Sequence, residues 1–398
     1  MAMNKLVQGI ALSLASLLAT CLIGEMALRA VAGGQPPYVR DVVTENDLQQ
    51  FIWRVPERDF VWSGNLGKPK EFAVASRWNN LAFNDRDRAF PKPDGVFRIV
   101  VLGDSFVQAL EVSREQSFHQ LLEARLNAAE PARYEVIPLG ASGWGPRKYL
   151  ETLRAIGLQF DPDLVIMAFF PGNDVLDDSR YLTEERAQQV ERLKALSSRS
   201  YLPDLYAPSP AVPGPVRDSY LLAFVGQRLI NVRYQAGQAR LPARASIPVD
   251  LMAFKSPYDA ADPEDAEWLR TWAETLDYVQ EARDVSEAHG AAFLLVSLSD
   301  VWRVSDDGIG GLFESYPAMR ELTWDFEQPE RRLEAYSAAH GIAYLPLLPA
   351  FRDAKQRSGR PLHWAADGHW TPAGHQLAAE LVLEELQGLG YLPPVQAR

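Results

Sequence analysis

Residues 99–112, with the sequence IVVLGDSFVQALEV, begin as a buried strand and break at a Gly-Asp-Ser. The branched apolar run from Ile99 to Leu102 predicts a central strand, and Gly103 marks a sharp turn or a close approach of the backbone. Ser105 therefore follows the carboxyl end of a strand, where ligands bind in open α/β sheets. Its hydroxyl is a candidate nucleophile if the chain supplies a base. The alternative is a helix N-cap, a position that Ser and Asp favour.

The composition of the chain limits the classes of function in which this serine can take part. The 398 residues are 47% hydrophobic and 23% charged, which is enough for one large globular domain or two small ones. The formal net charge is -12, and no cluster of Lys and Arg stands out, so nucleic acid is not expected as a partner. The single cysteine, Cys21, excludes a disulfide within the chain and a zinc site built from cysteines.

The amino terminus carries an apolar segment. Lys5 precedes 19 uncharged residues, 6–24, and a helix of that length at about 1.5 Å per residue matches a hydrocarbon core of about 30 Å. We interpret residues 1–32 as a signal anchor with one transmembrane helix in the inner membrane, its positive end in the cytoplasm. A cleavable signal peptide is the alternative, because the AVA that ends this segment resembles a cleavage site. Glu25 and Arg29 lie between the apolar run and AVA and favour the anchor, and either interpretation predicts that the rest of the chain is exported to the periplasm or beyond.

The remainder of the chain alternates strands with helices. One strand, LVIMAFF at 164–170, is continuously apolar, as parallel strands covered on both faces are. An amphipathic pattern predicts a helix over residues 265–289. The predicted strands are 99–102, 134–140, 164–170, 292–298 and 342–348. Five strands that alternate with helices predict a doubly wound, mostly parallel α/β sheet.

The regular alternation also indicates how the chain is divided. Residues 33–95 are rich in Gly, Pro, Arg and Asp and predict a stalk and an irregular extension. Residues 96–390 form the predicted catalytic domain, with an insertion at about 180–260 where the alternation is lost and a Pro-rich stretch occurs. Residues 391–398 are a tail.

Glycines and polar residues follow three of the strands. GASGWGPR after the second strand contains Gly143, whose N–H can point at a ligand, and Asn173 in PGNDVLDD has an amide that can donate to a developing oxyanion. Asp367 and His369 lie in a loop just before a helix that begins near Pro372. Singly, each residue has a structural explanation as a turn or a cap. Together with Ser105 they supply a nucleophile, oxyanion donors and an acid-oriented base, which is what acyl transfer needs.

The four loops resemble the blocks of the SGNH, or GDSL, hydrolases. GDS around Ser105, the Gly143 loop, GND around Asn173 and the loop of Asp367 and His369 follow the order of that family. The resemblance covers residues 96–390 and implies a three-layer α/β/α, flavodoxin-like fold. The implied roles are nucleophile for Ser105, general base for His369, orienting acid for Asp367, and an oxyanion hole made by the N–H groups of Ser105 and Gly143 and the side chain of Asn173.

The resemblance is closest to one branch and departs from the common pattern at two points. GDSF, LGASGWG and DGHWTPAGH are similar to anchored bacterial members related to polysaccharide O-acetylation proteins. The family commonly places two residues between the Asp and the His, whereas only Gly368 separates Asp367 from His369, as in the alginate acetyltransferase-like branch. The nucleophile block continues FVQALEV without the small residues often found there, which leaves the acyl pocket undefined.

The resemblance implies a serine esterase or acetyl transferase that acts on ester groups of an exported polysaccharide through an acyl-serine. It implies no cofactor and no metal, and a membrane partner that delivers activated acyl groups is a further expectation. Trp144 and Trp370 flank two of the loops and are candidates for stacking on a sugar ring; burial in the core is the alternative for each.

Two other classes of function stay open. A metal-dependent phosphoesterase shares the outline of the GDS and GND motifs, but no His lies near Asp104, and Asp174 stands where a metal-binding His would be needed. A non-catalytic carbohydrate-binding or assembly protein is the second alternative. The presence of Ser105, Asn173 and His369 argues against it, because binding alone requires none of them.

Overall fold

The computed structural model describes residues 2–31, 59–62, 71–197 and 219–394. The strands are β1 (Asp59–Trp62), β2 (Val74–Arg77), β3 (Phe97–Gly103), β4 (Tyr134–Gly140), β5 (Leu164–Phe169), β6 (Ala292–Ser297) and β7 (Ala343–Pro346). The helices are α1 (Ala2–Val31), α2 (Ser105–Gln108), α3 (Phe118–Ala129), α4 (Pro146–Ala155), α5 (Asp174–Asp178), α6 (Arg180–Ser197), α7 (Tyr220–Gln238), α8 (Pro263–Ala288), α9 (Asp306–Ser315), α10 (Gln328–His340), α11 (Leu348–Ser358) and α12 (Pro372–Gly388).

Strands β3 to β7 form a parallel sheet in the order β4-β3-β5-β6-β7. The chain runs from β3 to β4 on one side and then crosses to β5 on the other side of β3. This change of direction creates a crevice beyond the carboxyl ends of β3 and β5, which is where ligands bind in such sheets. The predicted doubly wound, five-stranded parallel sheet is therefore confirmed.

Two apolar cores cover the two faces of this sheet. Successive residues of β3 point to opposite faces, so Val100 and Leu102 belong to one core and Ile99 and Val101 to the other. Helices α4, α8 and α10 pack on the first face, and helices α3, α11 and α12 pack on the second. The fold is a three-layer α/β/α arrangement.

Helix α12 begins as its sequence predicts and fixes the end of the loop before it. The side chain of Thr371 accepts a hydrogen bond from the N–H of Gly374 and caps the helix, and Pro372 occupies the first helical position. On the other face, α8 is capped by Asp262 and buries Trp268 and Trp272. Its bounds agree with the predicted helix within two residues.

The amino-terminal extension and the insertion are described only in part. Strands β1 and β2 pair antiparallel within the predicted stalk and extension, and residues 33–58 and 63–70 of that segment lie outside the described residues. Within the predicted insertion, the described residues form α6, α7 and two 3₁₀ helices, Arg244–Ser246 and Val249–Phe254. The Pro-rich stretch at 198–218 lies outside them, as do the last four residues of the tail, 395–398.

The predicted transmembrane segment is not confirmed. Residues 2–31 form the helix α1, but across the described ranges no helix is both long enough and apolar enough to cross a membrane. Helix α1 also carries an ion pair between Glu25 and Arg29, and Glu25 accepts hydrogen bonds from the N–H groups of Tyr220 and Leu221 at 3.1 and 2.8 Å. Those bonds join α1 to the amino end of α7.

Candidate active site

Ser105 is the first residue of α2, immediately beyond β3. The N-cap of this helix is Asp104, whose Oδ1 accepts a hydrogen bond of 2.9 Å from the N–H of Phe106. The capping role that was the alternative for Ser105 is therefore filled by its neighbour. Helix α2 ends after one turn at Ala109, which adopts the left-handed conformation with φ 50°.

Ser105, His369 and Asp367 form a continuous hydrogen-bonded chain. The Oγ of Ser105 lies 2.7 Å from Nε2 of His369, and Nδ1 of the same ring lies 2.5 Å from Oδ1 of Asp367. A serine, a histidine and an acid connected in this order can activate the serine hydroxyl, because the acid orients the ring and stabilises its protonated form.

Gly368 explains how a single residue can separate the acid from the base. Its φ of +99° lies in a region that residues with a side chain rarely adopt. This conformation turns the chain tightly enough for Asp367 Oδ1 to reach both the N–H and the Nδ1 of His369, at 3.3 and 2.5 Å. The short spacing therefore still allows the acid to orient the base.

The Gly143 loop is tied to the nucleophile helix. Both the N–H and the hydroxyl of Ser142 donate to Oε1 of Gln108, at 3.2 and 2.8 Å. Gly143 has φ +71° in a turn closed by the N–H of Trp144 and the carbonyl of Ala141. Neither Gly143 nor Ser105 donates its N–H within the described part of the protein. The two donors are thus available for an oxyanion, and that role stays a prediction.

Asn173 lies beside the residue that precedes Ser105. Its Nδ2 donates to Oδ2 of Asp177 at 2.8 Å, and its side chain acts to lower the pKa of the nearby Asp104, against the larger effect of burial. The next residue, Asp174, is buried and accepts hydrogen bonds from Tyr149 Oη at 2.8 Å and from the N–H of Phe170 at 2.9 Å. One N–H of the Asn173 amide is therefore held by the Asp177 carboxylate, and the oxyanion role of Asn173 also stays a prediction.

A residue that the sequence did not single out, Glu111, completes the surroundings of the histidine. Its Oε1 lies 3.6 Å from Nδ1 of His369, and its side chain is only 4% exposed. Burial raises the pKa of Glu111 to about 7, although attraction to His369 opposes the rise. Burial acts to lower the pKa of His369, but the charges of Glu111 and Asp367 outweigh it and raise the pKa to about 9.

The same three side chains form the group with metal-ligand spacing among the described residues. One ligand atom from each of Glu111, Asp367 and His369 lies within 4.8 Å of the others. We assign the group to proton transfer, because Nδ1 of His369 is already hydrogen-bonded to Oδ1 of Asp367. Asp104 and Asp174, on which the phosphoesterase alternative depends, are not members of the group.

The two tryptophans do not occupy positions from which they could stack on a sugar. Trp370 is fully buried; its indole donates to Ser299 at 3.1 Å and stacks on Phe351. Trp144 is 5% exposed and packs edge-on against Phe83 in the core beneath α4. The suggested substrate contacts are therefore corrected to core packing, since neither ring presents a face to solvent.

Glu71, from the amino-terminal extension, organises the loop that carries the acid. Its carboxylate accepts hydrogen bonds, all of 2.9 Å, from the consecutive N–H groups of Ala365, Ala366 and Asp367. Three donors converging on one carboxylate fix the path of the backbone. Phe72 follows Glu71 and contacts the ring of Trp364 at 5.4 Å, so the extension packs along this loop.

Replacing Glu71 with Gln should lower kcat for ester turnover by about 10- to 100-fold with little change in KM, because a small misplacement of catalytic groups has effects of this size. The kcat of Glu71→Asp should fall between those of wild type and Glu71→Gln. Glu115→Gln, at an exposed carboxylate, is the control. Steady-state kinetics and thermal unfolding of all three variants check this. Equal kcat for Glu71→Gln and the control would contradict it.

The chain is similar to solved esterases and lipases at low sequence identity. No family model matches it, and no curated protein does. The lipase/acylhydrolase from Enterococcus faecalis is 14% identical with a TM-score of 0.38, covering 76% of this chain and 100% of that one. A member of the lipolytic G-D-S-L family from Veillonella parvula is 12% identical with a TM-score of 0.37, covering 73% and 97%. The acetyl xylan esterase AlAXEase is 11% identical with a TM-score of 0.36, covering 72% and 98%. At these values the likeness does not establish membership of a family.

Proposed function

We propose that this protein is a serine esterase or acyl transferase that works through an acyl-Ser105 intermediate. The observation that carries the proposal is the hydrogen-bonded chain from Ser105 Oγ through the His369 ring to Asp367, with distances of 2.7 and 2.5 Å. Its position beyond β3, at the point where the strand order changes direction, is where an α/β sheet binds its ligands.

The reaction begins when Ser105 Oγ attacks the carbonyl carbon of an ester and His369 Nε2 takes the hydroxyl proton. Asp367 holds the resulting imidazolium through Nδ1. The carbonyl oxygen becomes negative and accepts hydrogen bonds from the N–H groups of Ser105 and Gly143 and from the side chain of Asn173. When the tetrahedral intermediate collapses, His369 returns the proton to the leaving alcohol, and the acyl group stays on Ser105.

The acyl-serine is then resolved by a second alcohol or by water. With water the protein is an esterase; with a sugar hydroxyl it is a transferase, and His369 activates either acceptor in the same way. The resemblance of the DGH loop to the alginate acetyltransferase-like branch supports an acetyl group and a polysaccharide as the reacting partners. An inner-membrane location, an exported site and a membrane partner that supplies acyl groups remain predictions from the sequence.

Intact-protein mass spectrometry of the full chain tests the nucleophile. We expect one adduct with a fluorophosphonate probe and one acetyl adduct with an activated acetyl ester, and none on Ser105→Ala. Persistence of the acetyl mass until a polysaccharide is added would support transfer, and its rapid loss in water would support hydrolysis. If wild type gains no adduct with either reagent, the catalytic proposal fails, and the non-catalytic binding or assembly function takes its place.

A further inference from the structure

We propose that Glu111 is a second acid for His369, a positioning residue that shares Nδ1 with Asp367 and sets the pH range in which the base works. The inference rests on the proposed function and extends it, because a serine-histidine-acid chain requires only one carboxylate. It assigns a role to a residue that lies only six positions after the nucleophile.

The Glu111 carboxylate lies close to Nδ1 of His369. Ala109, in its left-handed conformation, turns the chain back at the end of α2, and Glu111 follows two residues later. Its Oε1 is 3.6 Å from Nδ1 of His369, whereas its Oε2 has no hydrogen-bond partner in the described part of the chain; the indole of Trp62 lies near the carboxylate and acts to lower its pKa, less strongly than His369 does. Within those residues, His369 is also its one ion-pair partner.

Burial of such a carboxylate destabilises the folded state unless another group stabilises its charge. A position that served packing alone would therefore be more stable with an apolar side chain. No Lys or Arg in the described residues pairs with Glu111 to offset that cost. The side chain that its charge can stabilise is the protonated ring of His369, which forms in the reaction when Ser105 gives up its proton.

Among the charged groups around His369, Glu111 and Asp367 raise its pKa the most. Asp104 also faces the ring and raises its pKa, but more weakly than Glu111 and Asp367. His363 and His375 are also close enough to His369 for their charges to interact with it; burial lowers the pKa of His363 to about 4 and that of His375 well below its usual range, so both are neutral near pH 7.

The sign of the pH dependence follows from these charges. A base must be neutral to accept the Ser105 proton, and the two flanking carboxylates favour the protonated ring, so kcat/KM should rise as pH increases through the pKa of His369, about 9. Loss of the Glu111 charge should lower that pKa and move the rising limb to lower pH. It should also lower the rate at the alkaline plateau, because the imidazolium in the transition state loses a partner.

Two measurements on wild type and Glu111→Gln test the proposal. The first is an NMR titration of the full chain with ¹³C-labelled histidine, in which the His369 signal is identified by its loss in His369→Gln. The second is the rate of Ser105 labelling by a fluorophosphonate between pH 5.5 and 10. We expect the His369 midpoint and the labelling limb to move together to lower pH by about one unit or more.

Glu330→Gln is the matched control. Glu330 is also a buried carboxylate, but it pairs with Arg303 in another part of the fold, so its variant should lose stability without moving either curve. Unchanged curves in Glu111→Gln would overturn the inference and leave the proposed function standing. A shifted NMR midpoint without labelling of Ser105 in any variant would support the coupling of Glu111 to His369 and overturn the proposed function.

Discussion

Ser105→Ala is expected to lower kcat/KM for p-nitrophenyl acetate by at least about 10⁴-fold, because the atom that forms the covalent bond is removed. The residual rate should come from the oxyanion donors and from substrate binding, which the substitution leaves in place. Thermal unfolding should be little affected, since the Ser105 hydroxyl makes its hydrogen bond to His369 and the helix cap is supplied by Asp104.

Ser113→Ala provides the comparison. Ser113 lies eight residues further along, at the start of a short 3₁₀ turn, and takes no part in the hydrogen-bonded chain of Ser105. We expect that variant to keep wild-type turnover. Turnover by Ser105→Ala within tenfold of wild type, with its stability intact, would show that the ester is cleaved elsewhere and would remove the basis of the mechanism.

The sheet could be predicted from the sequence because its signals are local. TyrGluValIleProLeuGly forms β4 over the predicted residues 134–140, and the remaining predicted strands agree with the observed ones within three residues at each end. Continuous apolar runs in parallel strands are buried on both faces, so their pattern does not depend on what packs above or below. The start of α12 is predictable for a similar reason, because the local residues Thr371 and Pro372 fix it.

Sequence analysis did not identify Glu71 and Glu111, because their contacts form only in the folded structure. Glu71 reaches the N–H of Ala365 across 294 residues, and nothing in its own neighbourhood distinguishes it from a surface carboxylate. Glu111 is close to Ser105 in sequence, but its direction depends on the left-handed Ala109, a conformation that alanine rarely adopts.

The predicted substrate contacts of the two tryptophans were wrong for the converse reason. Trp144 and Trp370 are adjacent in sequence to loops of the candidate site, and adjacency suggested contact with a substrate. The backbone places their rings on the inner side of those loops, where Trp370 is fully buried. In a loop, the side of the chain to which a ring points is decided by packing and not by a periodic pattern, so a single aromatic residue gives no directional signal.

Asp367→Asn should separate the contributions of the two acids. In a triad with one acid, this change costs about 10⁴-fold in kcat, because the ring no longer presents the correct nitrogen to the serine. Here Glu111 remains 3.6 Å from Nδ1 and can still favour a proton there. We therefore expect a smaller loss, about 10²- to 10³-fold, when kcat/KM is measured at the alkaline plateau of each variant.

The double variant Asp367→Asn/Glu111→Gln should then lose more than the product of the two single losses. Once Asp367 is gone, Glu111 is the remaining carboxylate that orients the ring, so its removal costs more in that background than in wild type. A double-mutant cycle measures this difference directly. Losses that simply multiply would mean that the two carboxylates act independently on His369, and that Glu111 contributes only its charge and not the orientation of the base.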